Sequence, residues 1–157
     1  MKKQSFHFTY VTDDQRELIH LWLQKPHISE WIHGSGLQNT LDDLDKSFIG
    51  KSETNYWIGS NDNQPFCFFI TRSEDDAVAL DVFIGEENYL EKGLAIEMFN
   101  QFIDQHFSST HRLFIDPEVA NQRAVHVYTK LGFTILNEFI APWNPVPHYL
   151  MELKRNS

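Results

Sequence analysis

The segment Asp116-Pro117-Glu118-Val119-Ala120-Asn121-Gln122-Arg123-Ala124-Val125-His126-Val127-Tyr128-Thr129-Lys130-Leu131-Gly132-Phe133 constrains the fold more than any other part of this chain. It reads as a strand end, a turn, a capped helix and the start of a new strand. Pro117 ends whatever precedes it, because it has no N–H and restricts the residue before it. Asn121 suits the helix N-cap, where its side-chain oxygen accepts an orphan backbone N–H. Ala124, Val127, Tyr128 and Leu131 then recur at spacings of three and four, the apolar stripe of an amphipathic helix. Lys130 falls in the last turn, where a cation suits the helix dipole. Gly132 follows as the left-handed residue that closes the helix. A packed layer of helix against sheet is therefore required.

The rest of the chain reads in the same way. Phe6 to Val11 alternates as an edge or half-buried strand. Thr12 and Gln15 form a capping-box start, and Leu18, Leu21 and Trp22 are expected on the buried face of a helix that stops before Pro26. His27 to Trp31 is expected as a short helix ended by Gly34-Ser35-Gly36. Thr40 is expected to begin another, with Leu41, Leu44 and Phe48 inward and Gly50 as its stop. Strands follow at Tyr56 to Gly59, Phe66 to Thr71 and Val78 to Ile84, joined by polar turns at Ser60 to Pro65 and Ser73 to Asp76 and expected to form an antiparallel meander. A long helix from about Gly93 to Phe107 carries Ala95, Met98, Phe99, Phe102 and Ile103 on one stripe. Leu113 to Ile115 is a strand, and Phe133 to Ile140 and Tyr149 to Leu153 are the last two. Between those two lies Ala141-Pro142-Trp143-Asn144-Pro145-Val146-Pro147-His148, expected as a stiff Pro-rich loop. The order β-α-α-β-β-β-α-β-α-β-β fits an α+β fold, one mixed sheet with helices on both faces. The length, 157 residues, is that of one domain with a real core, spanning 1–157.

Composition narrows the function. The net charge of −9 disfavours nucleic acid and anionic membranes as partners. It suits either a cationic ligand or simply a well-solvated acidic surface. The single cysteine, Cys67, rules out an internal disulfide. It lies in the apolar run Phe66 to Ile70, where a packed and inert thiol is expected. No apolar stretch is long enough to span a bilayer, and Met1 to His7 has no apolar signal core, so a cytoplasmic protein is expected. His27 and His33, six apart with no third ligand nearby, do not make a metal site.

The helix segment resembles the Asn-x-x-Ala-x-x-x-Tyr-x-Lys-x-Gly-Phe signature of the GCN5-related N-acetyltransferases, matched by Asn121, Ala124, Tyr128, Lys130, Gly132 and Phe133. The element order is also that of their fold. The resemblance implies acetyl-CoA as co-substrate, with Phe83, Ile84, Asn121, Ala124, Tyr128 and Lys130 along it and Tyr128 as general acid for the leaving thiolate. Periodicity alone also allows Tyr128 a core role. The family's Arg/Gln-x-x-Gly-x-Gly/Ala pyrophosphate loop is similar to Leu90-Glu91-Lys92-Gly93-Leu94-Ala95. Gly93 and Ala95 match it, Lys92 adds charge, Leu90 replaces the usual Arg or Gln, and Glu91 occupies a position that is Gly in the aminoglycoside-modifying members. A helix N-terminus after such a loop offers backbone N–H groups to phosphate, although Gly93 alone also fits a plain strand-to-helix turn.

A closer resemblance is to the aminoglycoside 6'-N-acetyltransferases. It rests on Trp22-Leu23, His27-Ile28-Ser29-Glu30-Trp31 and Leu80-Asp81-Val82-Phe83-Ile84-Gly85, with Asp116-Pro117 before the signature helix, and covers residues 6 to 153. It implies a small cationic amine as acceptor. His27, Glu30, Trp31, Asp81 and Asp116 would line its pocket, and Asp81 would hold the amine and serve as base. Spacing by itself says only that His27 and Trp31 share a helical face. Asp81 interrupts an apolar strand, where a bare carboxylate is costly, so it either serves the substrate or bonds to neighbouring backbone or a His. Trp143 either closes the acceptor pocket or sits in a dimer contact, and monomer and homodimer both stay open. The alternatives are an acetyltransferase for a siderophore hydroxylysine, a polyamine or a protein N-terminus, or a non-catalytic binding domain of the same fold.

Overall fold

The computed structural model describes residues 5–155, apart from the side chains of Glu91 and Lys92. It contains one seven-stranded sheet: β1 (Phe6–Tyr10), β2 (Asn55–Asn61), β3 (Gln64–Glu74), β4 (Ala77–Ile84), β5 (Arg112–Ile115), β6 (Thr134–Ala141) and β7 (Asn144–Lys154). The spatial order is β1-β2-β3-β4-β5-β7-β6. All neighbours are antiparallel except β4 and β5, which run parallel. The helices are α1 (Arg16–Leu23), α2 (Pro26–Ser29), α3 (Gly34–Ser47), α4 (Ala95–His106) and α5 (Gln122–Leu131). The α+β class holds. Three helices stand between β1 and β2, as the three helical segments expected there, one more than the order β-α-α-β counts.

Both faces of the sheet are covered, which explains the near-continuous apolar run of β3. Cys67 and Phe69 join one core with Trp57, Met98, Phe99 and Phe102 under α4 and α5. Phe68 joins a second with Ile19, Trp22, Leu44 and Ile58 under α1 to α3. The two-residue period of a strand sends neighbours to opposite faces, so apolar residues are needed at every position. Phe102 stacks on Phe69 with ring centroids 3.9 Å apart, and Cys67 is fully buried, its thiol pushed up by burial.

Several local expectations change. Gly34 to Gly36 begin α3 instead of ending α2, and Thr40 lies inside that helix. Leu21 is exposed, and Ile19 takes the buried place beside Trp22 and Leu23. The turn after β2 shrinks to Asp62-Asn63, both at positive φ, and the next turn to Asp75-Asp76. Asn and Asp tolerate that left-handed backbone, so strand pairing runs on through Ser60 and Pro65. The Pro-rich stretch is no loop: Asn144 to His148 are the start of β7, turning tightly from β6 at Pro142-Trp143. Proline is tolerated there because β5 pairs only with the far end of β7, Met151 to Lys154.

Three contacts anchor α1 and the turn after it to the end of β4. Trp22 lies flat on Gly85, where an added Cβ would stand 2.0 Å from its ring. Its Nε1–H donates to Glu86 Oε2 at 2.6 Å, and Lys25 Nζ donates to the Gly85 carbonyl at 3.1 Å. Gly85→Ala is expected to lower stability by about 1–3 kcal/mol, the usual cost of overpacking a filled core, as read by urea unfolding. A variant as stable as the parent would show that Trp22 is free to move.

Candidate active site

The parallel pair sets the site. β4 touches β5 only over Ala77 to Ala79, opposite Arg112 to Phe114. Beyond that the strands part, and Leu80 to Ile84 keep a partner on the β3 side alone. Backbone groups on the open side need other partners. Gly85 N–H donates to Phe66 on β3, so by the alternation of a strand Val82 and Ile84 turn their backbone groups into the fork. His27 Nε2 lies 2.7 Å from the Ile84 carbonyl, as a donor filling one of these positions. Asp116 ends the other prong. The chain after it is pinned to β7, with Tyr149 N–H donating to the Pro117 carbonyl and Val119 N–H to that of Pro147.

A cavity of about 660 Å³ fills the fork. Its walls bring together His27, Glu30, Trp31, Asp81, Phe83, Ile84, Ala95, Asp116, Asn121, Ala124, Tyr128 and Trp143, which the sequence scatters over more than a hundred positions. α5 is built as its residues dictate. Asn121 Oδ1 accepts from Ala124 N–H at 3.3 Å, Tyr128 faces inward, and Gly132 closes the helix at φ 108°. Three expected residues stand apart from the wall: Leu94 packs into the core, Lys130 is exposed, and Gly93 is the left-handed residue before α4, with open space around it. The Lys92 and Glu91 side chains lie outside the described residues.

A second cavity of about 610 Å³ opens on the other side of Asp81 and shares Gly36, Thr40, Asp81, Asp116 and Trp143 with the first. It adds Asp42, Asp43 and Glu74 against Lys46 and Arg72. Trp143 is held over the junction, where Ser35 Oγ–H donates to its carbonyl at 3.1 Å and Gly36 lies against its ring. Glu74 is exposed beside its turn, as expected, and borders this cavity as well. His148, buried on β7, was missed altogether, because within a Pro-rich stretch nothing in its local pattern sets it apart.

The titrating groups respond to this enclosure. Asp81 is open to the cavity yet walled by protein, so it is short of bulk water. Its carboxyl is held well above the usual range by desolvation and then by the negative charge of Asp116, against an opposing pull from His148. Desolvation also raises Asp116. Tyr128 is held above the usual phenol range by burial, then by the charges of Asp81 and Asp116. Two carboxylates with raised affinity for protons and one phenol that keeps its own can accept a proton at one point and deliver one at another.

For a carboxyl raised by folding, the native state binds more protons than the unfolded chain between the ordinary and the raised value. Stability therefore falls as pH rises through that window. Thermal unfolding is expected to show a Tm that declines from pH 5 to pH 8. Asp81→Asn is expected to flatten this decline and to raise Tm at pH 8 by a few degrees. A variant that melts lower at pH 8 would mean that the Asp81 charge is stabilised in the fold.

Comparison with known proteins agrees with this geometry. The acetyltransferase (GNAT) domain family model matches residues 12–141. The aminoglycoside N(6')-acetyltransferase type 1 of Klebsiella pneumoniae is 21% identical, over 86% of this chain and 77% of its own length. The crystal structure of an aminoglycoside N(6')acetyltransferase from Legionella pneumophila superposes with a TM-score of 0.91 at 45% identity, covering 98% of this chain and 94% of that one. AAC(6')-Ib in complex with coenzyme A and kanamycin, at 18% identity, shares the fold with a TM-score of 0.80, covering 96% and 95%. A family model spanning most of the chain and a relative at 45% identity agree with the forked sheet and its capped helix: the chain belongs to the GNAT acetyltransferase family.

Proposed function

We propose that this acetyltransferase moves the acetyl group of acetyl-CoA to a primary amine of a polycationic, aminoglycoside-type acceptor. The observation that carries the reading is the meeting of Asp81, Asp116 and Tyr128 in the fork, between a cavity bordered by open strand edge and helix N-terminus and a second one walled by carboxylates. The Legionella relative, an aminoglycoside N(6')acetyltransferase at 45% identity, supports the acceptor class.

The residues present fit a coenzyme A arm. The backbone groups of Val82 turn into the fork, as a β-strand edge that can pair with amides. Gly93, left-handed and unobstructed, leads into α4, whose first-turn N–H groups have no intrahelical partner and suit a pyrophosphate. Asn121 and Ala124 border the same cavity. Acetyl-CoA supplies the activated thioester. The protein supplies position and two proton sites.

The acceptor arrives as an ammonium and must lose a proton before its lone pair can attack. Asp81, held above the usual carboxylate range, is a better base than an exposed Asp, and Asp116 beside it strengthens the pull on a cation. Tyr128 keeps its proton while both carboxylates are charged. Once Asp81 has accepted the amine's proton, one of the charges that held the phenol up is gone. Tyr128 then becomes the stronger acid at the moment a thiolate needs a proton. The two proton sites are coupled through this one charge.

Acetyl-CoA-dependent thiol release with kanamycin, tobramycin, hydroxylysine and spermidine tests the acceptor. Turnover is expected with the aminoglycosides. Turnover only with hydroxylysine or spermidine would overturn the acceptor class and leave the chemistry standing. Asp81→Asn is expected to lower kcat/KM about 10²–10⁴-fold, the usual worth of a positioned acid or base. Tyr128→Phe is expected to lower kcat at least tenfold. Full activity in either variant would remove that residue from its role.

A further inference from the structure

One buried imidazole borders the same cavity without a part in the proton transfers above. His148 lies on β7 with 4% of its surface exposed, in the wall that also holds Asp81, Asp116 and Tyr128. Its ring is fixed. Nδ1 lies 2.7 Å from the Val146 carbonyl, and a carbonyl can only accept, so Nδ1 carries a hydrogen. Phe139 stacks on the ring at 5.6 Å, and Trp143 stands edge-on at 6.1 Å. A backbone bridge to Glu118 ties His148 to the segment that follows Asp116. With Nδ1 committed, Nε2 is the ring's remaining polar atom, and it has no hydrogen-bond partner among the described residues.

The charged groups around this ring are mostly acidic. Asp81 faces the cavity from β4, Asp116 and Glu118 from the segment after β5, and Tyr128 and Arg123 from α5, the guanidinium of Arg123 donating to the Leu90 carbonyl at 3.0 Å. Glu118 accepts from Asn144 Nδ2 at 3.1 Å. From β6 the facing side chain is the uncharged Phe139, and the turn presents Trp143. Glu30, His27 and His33 border the same cavity from α2 and its flank, and His27 is engaged with Ile84. A ring so placed can carry the positive charge that two neighbouring carboxylates lack.

We propose that His148 is a positioning residue: its imidazolium keeps Asp81 in the anionic form that receives the acceptor's ammonium. The proton balance is simple. When a proton sits on the Asp81–Asp116 pair, its transfer to Nε2 by way of solvent in the shared cavity breaks one O–H bond and forms one N–H bond. It leaves a carboxylate beside an imidazolium, with nothing oxidised or reduced. Asp116, which by itself opposes the charge on Asp81, then shares a cation with it. The opposing pull of His148 on Asp81 agrees in direction with this arrangement. The inference rests on the proposed acetyl transfer only for its consequence for rate, so it has a readout without turnover.

The test is His148→Gln, which keeps a polar group of similar reach and cannot carry charge. Carboxyl ¹³C NMR of aspartate-labelled protein, without substrate, is expected to show the Asp81–Asp116 titration moved to higher pH by at least half a unit. An unmoved titration would overturn the proposal whatever the enzyme acetylates. In turnover, the acid limb of kcat/KM is expected to move to higher pH by a similar amount, with the plateau above it within about threefold of the parent. A uniform loss at every pH, with the limb in place, would show a packing role and overturn it. Should His148→Gln fail to fold, His148→Asn gives the same two readouts.

Discussion

The short parallel contact between β4 and β5 is the constraint on which the rest of the structure depends. Three residues of each strand pair, and then the strands separate. A parallel pair needs a crossover, here α4, and the crossover leaves from the end of β4. The separation leaves backbone groups of β4 without a strand partner in the middle of the sheet, while the adjacent β3 is paired along both sides. It also opens room for side chains from distant parts of the chain to meet. α1 fixes one side of the opening by laying Trp22 on Gly85, and the segment after Asp116 fixes the other by bonding to β7. The fork is therefore held open from both sides by packing and hydrogen bonds.

Charge in the fork follows from that geometry. Asp81 stands on a strand whose neighbours are apolar because both sheet faces are covered. Asp116 stands where β5 ends. Their proximity comes from the fold and acts against the ionisation of each. A native protein accepts such a cost where the charge has work to do, and activity commonly trades against stability at such places. The second cavity, with Asp42, Asp43 and Glu74, extends the negative character away from the fork toward α3 and the end of β3. A polycation spanning both cavities would have its reacting amine at their junction.

Much of the fork was legible in the sequence where the signal is local. Asn121, Tyr128 and Gly132 carry a cap, a stripe and a stop within one helix, and each sits as its chemistry requires. Asp81 was visible as a carboxylate out of place in an apolar strand. The reading failed where tertiary contacts decide. Gly34 to Gly36 look like a helix stop, yet they begin α3. The prolines after Ala141 look like a loop, yet β7 runs through them because no strand needs their missing N–H. His148 has no periodic pattern that sets it apart. It reaches the site through sheet register, a long-range property that a single sequence shows poorly.

Binding of coenzyme A along the open edge of β4 is tested most directly by amide hydrogen exchange with and without coenzyme A, read residue by residue over 80–85. The Val82 and Ile84 amides, which turn away from β3, are expected to slow when coenzyme A is added, while those already bonded to β3 change little. Protection elsewhere in the protein with no change at Val82 and Ile84 would contradict it.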